Sequence, residues 1–287
     1  MTAVLIIGCG DIGRRVARLH RARGDRVIGV VRSDTSARLL VHEGIEPLVL
    51  DLDHIASALP AADLVYHFAP PQPDGTTDAR TRALLDQLPP APRLVYISTS
   101  GVYGDRDGAW VDETTPPRPQ TDRARRRLDA EQQLLAYGGR AGSAVMILRV
   151  GGIYGPGRLP VDRLDQVTVI CPEEAPYTNR IHADDLAMMC MLVSDKGTAG
   201  NVYNVADDSP STMTDYFYQV ADAIGKPRPP CVTMEDARRT FTPAMLSYLS
   251  ESRRMTTAKI KSLGARLRYP DLRSGLAACL TERGTSR

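Results

Sequence analysis

The chain has 287 residues, of which 43% are hydrophobic and 24% charged, an ordinary globular balance that excludes a disordered or fibrous chain. Its 36 basic and 34 acidic residues leave a formal charge of +2, so no net field points to nucleic acid or an anionic membrane as its partner. Short apolar runs alternate with amphipathic segments from the start. AVLII (3–7) predicts a buried strand, RRVARLHRARG (14–24) a helix ending at glycine, RVIGVV (26–31) a second strand and SARLLVHEG (36–44) a second helix. Further strands are expected at 47–50, 63–68, 93–98 and 144–150, with helices at 78–88 and 122–137.

Strands that alternate with helices imply parallel pairing, because each crossover needs a helix on a sheet face. Proline-rich stretches at 70–75 and 116–120 each follow a strand, where the carboxyl ends of a parallel sheet open onto a cleft. Past residue 155 the alternation weakens, with helices expected near 184–194 and 213–225, a short strand at 201–206 and helical chain after 243. The expected fold is α/β, a doubly wound parallel sheet of Rossmann type with a smaller C-terminal α/β lobe. Residues 1–155 would form the dinucleotide-binding domain and 156–287 a substrate-side lobe, with the chain crossing between them.

Five cysteines, at 9, 171, 190, 231 and 279, make neither a C-x-x-C pair nor a Cys/His ligand spacing, so no disulfide framework and no metal site are expected. They read as core residues of a reducing compartment. The first apolar run stops at glycine after five residues, too short for a signal peptide or a membrane span; the expected location is cytoplasmic.

GCGDIG at 8–13 fits G-x-G-x-x-G between a strand and a helix, inside a unit that ends in another strand, the context in which this pattern binds a dinucleotide. Gly8 permits the tight turn, Gly10 lets backbone approach a pyrophosphate, and Gly13 allows close helix-to-strand packing. Asp11 and Ile12 lie between them, where the helix N-terminus offers amides and a positive dipole end. The second strand ends Val31-Arg32-Ser33. Arg32 can make two-point bonds to a 2′-phosphate and Ser33 can add another, which favours NADP. NAD stays open, with Asp34 either as the ribose acid or as a cap for the next helix.

These residues resemble the short-chain dehydrogenase/reductase superfamily, in particular its extended and atypical branches with the sugar-nucleotide epimerases and dehydratases. The resemblance rests on GCGDIG (8–13), Asp51-Leu52, HFAP (67–70), YISTSGVYGD (96–105), RVGGIYGPG (149–157), RIHADDLA (180–187) and YNVADD (203–208). It implies that Asp51 and Leu52 meet the adenine, that Phe68, Ala69 and Pro70 line the path to the nicotinamide ribose, and that Thr99 takes the place of the active-site Ser/Thr. Tyr103 would border the substrate, or be a partly buried loop aromatic.

The family's proton-transfer pair is Tyr-x-x-x-Lys on the following helix. Aligning Pro119-Gln120 and Glu131 with the family pattern puts Arg123 at the tyrosine position and Arg127 at the lysine position, and the first lysine of the chain is Lys196. A guanidinium stays protonated at any working pH and cannot run that proton cycle. Arg127 can still hold the nicotinamide ribose and Arg123 a carboxylate or phosphate, unless both belong to a solvated basic face. Gly151-Gly152 replaces an asparagine frequent in relatives. Asp184 and Asp185 after His182 read as helix-capping acids, and Trp110 as a residue flanking or plugging the cleft.

Two readings follow. The first is an NADP-dependent oxidoreductase or epimerase-like enzyme acting on a small polar, sugar-derived or anionic substrate, with Tyr103 and Thr99 as replacement acids. The second is a non-catalytic cofactor-binding sensor or regulator. A homodimer is compatible with helices on such a sheet.

Overall fold

The computed structural model describes residues 1–249 and 251–284. Seven strands form one parallel sheet: β1 (Ala3–Ile7), β2 (Arg26–Val31), β3 (Glu46–Val49), β4 (Leu64–His67), β5 (Arg93–Thr99), β6 (Ala144–Val150) and β7 (Val202–Val205). Their spatial order is β7-β6-β5-β4-β1-β2-β3. Each connection carries a helix or long crossover, among them α1 (Asp11–Ala22), α2 (Asp34–His42), α3 (Ala79–Gln87), α4 (Asp122–Ala141) and α5 (Ala183–Lys196).

The alternation of side chains along β1 explains the two-faced core. Val4 and Ile6 join Val16 and Ala17 of α1, Leu40 of α2 and Leu186 of α5, while Leu5 and Ile7 join Leu84 of α3 and Leu134 of α4 on the other face. Because both faces are covered, β1 reads as a continuous apolar run rather than an alternating one. Complete burial of each such Leu or Ile contributes roughly 1.5–3 kcal/mol.

The chain leaves β3 and returns on the far side of β1 as β4, so the strand order reverses between β1 and β4 and opens a crevice beyond their carboxyl ends. Strand β7, numbered past 155, pairs with β6 from Val202↔Ile147 to Val205↔Val150 and completes the main sheet rather than the lobe. The smaller lobe has its own core of Tyr154, Leu164, Tyr216, Val220, Leu272 and Leu276, supplied in part by α6 (Met213–Ala223) and by the C-terminal helix Leu272–Gly284.

Two expectations are corrected by the fold, that of no disulfide and that of Trp110 as a plug. Cys171 and Cys231 form a disulfide, with Cα atoms 4.9 Å apart; the parallel pairing of Val169–Ile170 with Cys231–Val232 brings them together from 60 residues apart. Cys9, Cys190 and Cys279 are buried, as core residues would be. Trp110 is 55% exposed, on a two-residue ladder with Arg254–Met255 and under the Arg254 guanidinium at 5.2 Å, so it plugs no cleft. Asp184 and Asp185 lie in the first turn of α5, at its positive end, as read from the sequence; the N-cap itself is His182, whose Nδ1 accepts from the Asp184 amide at 3.2 Å. Asp185 instead accepts the amides of Arg268 and Tyr269 at 2.8 and 2.9 Å and ties the C-terminal segment to α5.

Candidate functional site

The turn from β1 into α1 is built against β4. Gly8 has φ +81°, and a Cβ there would lie 2.6 Å from the Ala69 amide nitrogen; the amides of Phe68 and Ala69 both donate to the Ile7 carbonyl, at 2.8 and 3.1 Å. Only glycine combines that backbone angle with so close a neighbour. At Gly13 a Cβ would meet the Gly8 carbonyl at 3.1 Å, whereas at Gly10 nothing lies within 4 Å. The open side of Gly10 faces a cleft of about 430 Å³ that Asp11, Ile12, Phe68, Pro70 and Arg127 also border.

Gly10 is the N-cap of α1 and supplies no side-chain cap, so the first amides of the helix stay open toward that cleft, where the helix dipole favours an anion. A side chain at Gly10 would fill this cradle, and the donors lining it suit a diphosphate. Asp11 is held aside from it: its carboxylate accepts from Arg15 Nε at 3.0 Å and from Arg158 Nε at 2.5 Å. Burial opposes its charge, yet the two guanidiniums hold its carboxyl below the ordinary value. Arg158, which the sequence reading passed over, lines the cleft from the other side.

The cleft continues into a cavity of about 280 Å³ bounded by Asp51, Leu52, Arg32 and Arg80. Arg32 borders both spaces. The Ser33 hydroxyl caps α2 by accepting the Ser36 amide at 3.3 Å, and it is Ser36 that lines the cleft. The Asp51 carboxylate is spent on its own turn, accepting the Asp53 amide at 3.1 Å and meeting His54 Nδ1 at 3.2 Å.

Beyond the end of β5 lies a second pocket of about 200 Å³, reached by Thr99, Arg123, Arg180, Tyr248, Glu251 and Arg253 among others. Helix α4 serves both spaces. Arg127 lines the cleft, donating to the Ile97 carbonyl at 2.9 Å and the Tyr96 hydroxyl at 3.0 Å. One turn earlier, Arg123 lines the pocket, stacked 3.7 Å from the Tyr248 ring centroid and bonded to Ser247. Neither belongs to a merely solvated face. The Thr99 hydroxyl accepts the Gly101 amide at 3.3 Å and caps the 3₁₀ turn Ser100–Tyr103.

That turn takes Tyr103 out of the pocket. The ring is fully buried, its hydroxyl donates to Asn204 Oδ1 at 2.7 Å, and the Arg149 guanidinium lies over it at 4.7 Å. Burial raises its pKa, so the expectation of Tyr103 as a cleft acid is withdrawn. Tyr96, also buried, is pushed up to about 12 by desolvation. Beneath both spaces Glu131 of α4 accepts from Ser98 Oγ at 2.5 Å and pairs with Arg149 Nη2 at 2.7 Å, out of contact with solvent.

Gly151 and Gly152 acquire a steric reason. A Cβ on Gly151 would lie 2.7 Å from the Asn179 carbonyl oxygen, and one on Gly152 would lie 3.0 Å from Arg180 Nη1. A side chain at 152 would therefore crowd the end of the Arg180 guanidinium. No cluster of His, Cys, Asp or Glu among the described residues could hold a metal, and no helix among them is long and apolar enough to cross a membrane.

A reversed parallel sheet with a glycine turn at its crevice is the Rossmann-type architecture on which dinucleotides bind in other proteins. The chain belongs to the NAD dependent epimerase/dehydratase family, which it matches over residues 4–206. It is 30% identical over 241 residues to protein YeeZ of Escherichia coli K12, covering 78% of this chain and 85% of that one. A functionally unknown conserved protein from Silicibacter pomeroyi superimposes with a TM-score of 0.85 at 33% identity, over 99% of both chains. The dTDP-glucose 4,6-dehydratase of Bacillus anthracis in complex with NAD has a TM-score of 0.77 at 18% identity, over 99% of this chain and 97% of that one, a likeness of fold.

Proposed function

We propose that this chain is an NADP(H)-dependent oxidoreductase acting on a small polar or sugar-derived substrate held beside Thr99. The observation that carries the cofactor choice is Arg32, which borders both connected spaces just after β2, with Ser36 also lining the cleft. A guanidinium makes charge-assisted, two-point bonds to a phosphate monoester, and Asp34, the acid nearest in sequence, lies in the first turn of α2. Gly10, Asp11, Ile12 and Gly13 would hold the pyrophosphate, Asp51 and Leu52 the adenine end, and Phe68, Ala69, Pro70 and Arg127 the nicotinamide end. When bound, the nicotinamide ring supplies or accepts a hydride.

The rest falls to the side chains. Arg127, anchored by two hydrogen bonds to β5, keeps a fixed positive charge where the family's lysine would stand, suited to orienting a ribose. It cannot relay a proton. Thr99, which lines the second pocket, would hydrogen-bond a substrate carbonyl or alcohol. With Tyr103 buried, the proton would come from Thr99 or from the phenols that reach the same pocket, Tyr177 and Tyr248.

Fluorescence titration with NADPH and NADH tests the cofactor assignment. Arg32→Asp is expected to weaken NADPH by about ten- to a hundredfold and NADH by far less; equal losses would overturn it. A screen of carbonyl and sugar-nucleotide substrates, read by nicotinamide absorbance, tests turnover. Tight NADPH binding with no turnover on any substrate would favour a cofactor sensor instead.

A further inference from the structure

The inner wall of the substrate-side pocket carries a cation that the protein leaves without a counter-ion. Arg180 begins the short strand Arg180–His182, which pairs in parallel with Gly152–Tyr154, and is 7% exposed. Its guanidinium stacks 3.8 Å from the Tyr216 ring centroid, Nη2 meets the Met213 sulfur at 3.3 Å, and Nε has no hydrogen-bond partner. These are poor substitutes for water or a carboxylate around a charge. The neighbouring buried guanidiniums are treated differently: Arg149 is paired with Glu131 at 2.7 Å and Arg253 with Glu251 at 2.8 Å.

Asp207 acts on Arg180 through space, but no ion pair joins them among the described residues. Burial also pushes its carboxyl up to about 7, toward the neutral form. The pocket wall therefore presents Arg123, Arg180 and Arg253 against the single carboxylate of Glu251, two positive charges in excess. At Gly152 the missing side chain keeps Nη1 unobstructed. The space of about 200 Å³ is below the ~300–1,000 Å³ typical of pockets that bury drug-sized ligands, small for a sugar nucleotide.

We propose that this pocket binds the oxyanion group of a small substrate, a carboxylate or phosphate carried on an organic acid or a small phosphate ester, through Arg180, with Arg123 contributing from α4. The anion sits at the Arg180 end and the substrate's carbonyl or alcohol at the Thr99 end. As a statement about the oxidoreductase substrate this rests on the function proposed above; anion binding itself does not require the cofactor.

Isothermal titration of the full chain, with and without NADPH, against inorganic phosphate, malonate and UDP-glucose tests it. With NADPH filling the cradle at Gly10, phosphate or malonate should bind the wild type at one site, and the tighter of the two identifies the group. Arg180→Met should weaken that binding by about tenfold or more and Arg180→Lys by less, since Lys keeps the charge but loses the fork. NADPH affinity should be unchanged in both. Gly152→Ala, which crowds Nη1 without touching the core, should weaken the anion severalfold and decides the matter if Arg180→Met does not fold. Unchanged anion affinity in a folded Arg180 variant and in Gly152→Ala, no anion binding to the wild type, or tighter binding of UDP-glucose than of both anions would each overturn the proposal. Failure of NADPH alone to bind, with the anion still dependent on Arg180, would overturn the cofactor assignment and leave this one standing.

Discussion

The glycine-turn cleft and the pocket beside it both lie near the end of β5, bordered by Ile97 and Thr99 respectively, yet they are made in different ways. The cleft is built largely from consecutive residues at strand ends: Gly8 to Gly13 after β1, Arg32 after β2, Asp51 and Leu52 after β3, and Phe68 to Pro70 after β4. The pocket draws on α4, the Gly151-Gly152 turn after β6, the strand at Arg180 and the segment from Tyr248 to Arg253. The first is shaped mainly by backbone conformation, through glycines and free amides; the second is shaped by side chains from distant segments that converge, several of them charged.

The largest expected effect lies in the layer that supports both. Glu131→Ala leaves the Arg149 guanidinium buried and unpaired and should destabilise the fold by about 3–5 kcal/mol, read as a lower urea midpoint with weakened binding in both spaces. If cofactor binding survives intact while the anion is lost, the two regions are less coupled through α4 than the shared network implies.

Next comes a pair that separates them. Gly8→Ala combines an unfavourable φ with a backbone clash at 2.6 Å, at a cost of about 2–4 kcal/mol, and should reduce NADPH binding while sparing phosphate binding per folded molecule. Gly151→Ala meets the Asn179 carbonyl at 2.7 Å and should cost about 1–3 kcal/mol with the opposite selectivity. The smallest effect is expected from Trp110→Ala. Its exposed stacking with Arg254 is worth about 0.5–1 kcal/mol, and neither ligand should notice its loss; a fall in cofactor affinity would restore it to the cleft.

This contrast also accounts for what could be read from the chain alone. The sheet strands and their helices follow from local periodicity, and the glycine turn from a contiguous motif. Helix α1 begins at Asp11 rather than 14 because an uncapped glycine turn carries no polar cap to mark it. Tyr103 was misplaced because four residues after a strand reads as a loop, whereas a 3₁₀ turn rotates the ring into the core. Arg180 was legible only through the place that the resemblance gives its RIHADDLA segment beside the substrate cleft, as a candidate ligand contact, and Arg158 and Tyr248 not at all, since their meaning depends on what they face. The Cys171–Cys231 bond was invisible for the same reason: sixty residues separate its halves and no spacing rule connects them.

The fit of Arg180 into the space beside Gly152 makes the two positions a single unit of variation. A side chain at 152 presses on the guanidinium end, which must give way by a few tenths of an ångström for a Cβ alone, and a shorter residue at 180 frees room at 152, so the two positions are expected to vary together. A double-mutant cycle across them would show strong non-additivity. Homologues with a bulky residue at the first position and no arginine at the second would then be candidates for a different chemical preference on the same scaffold.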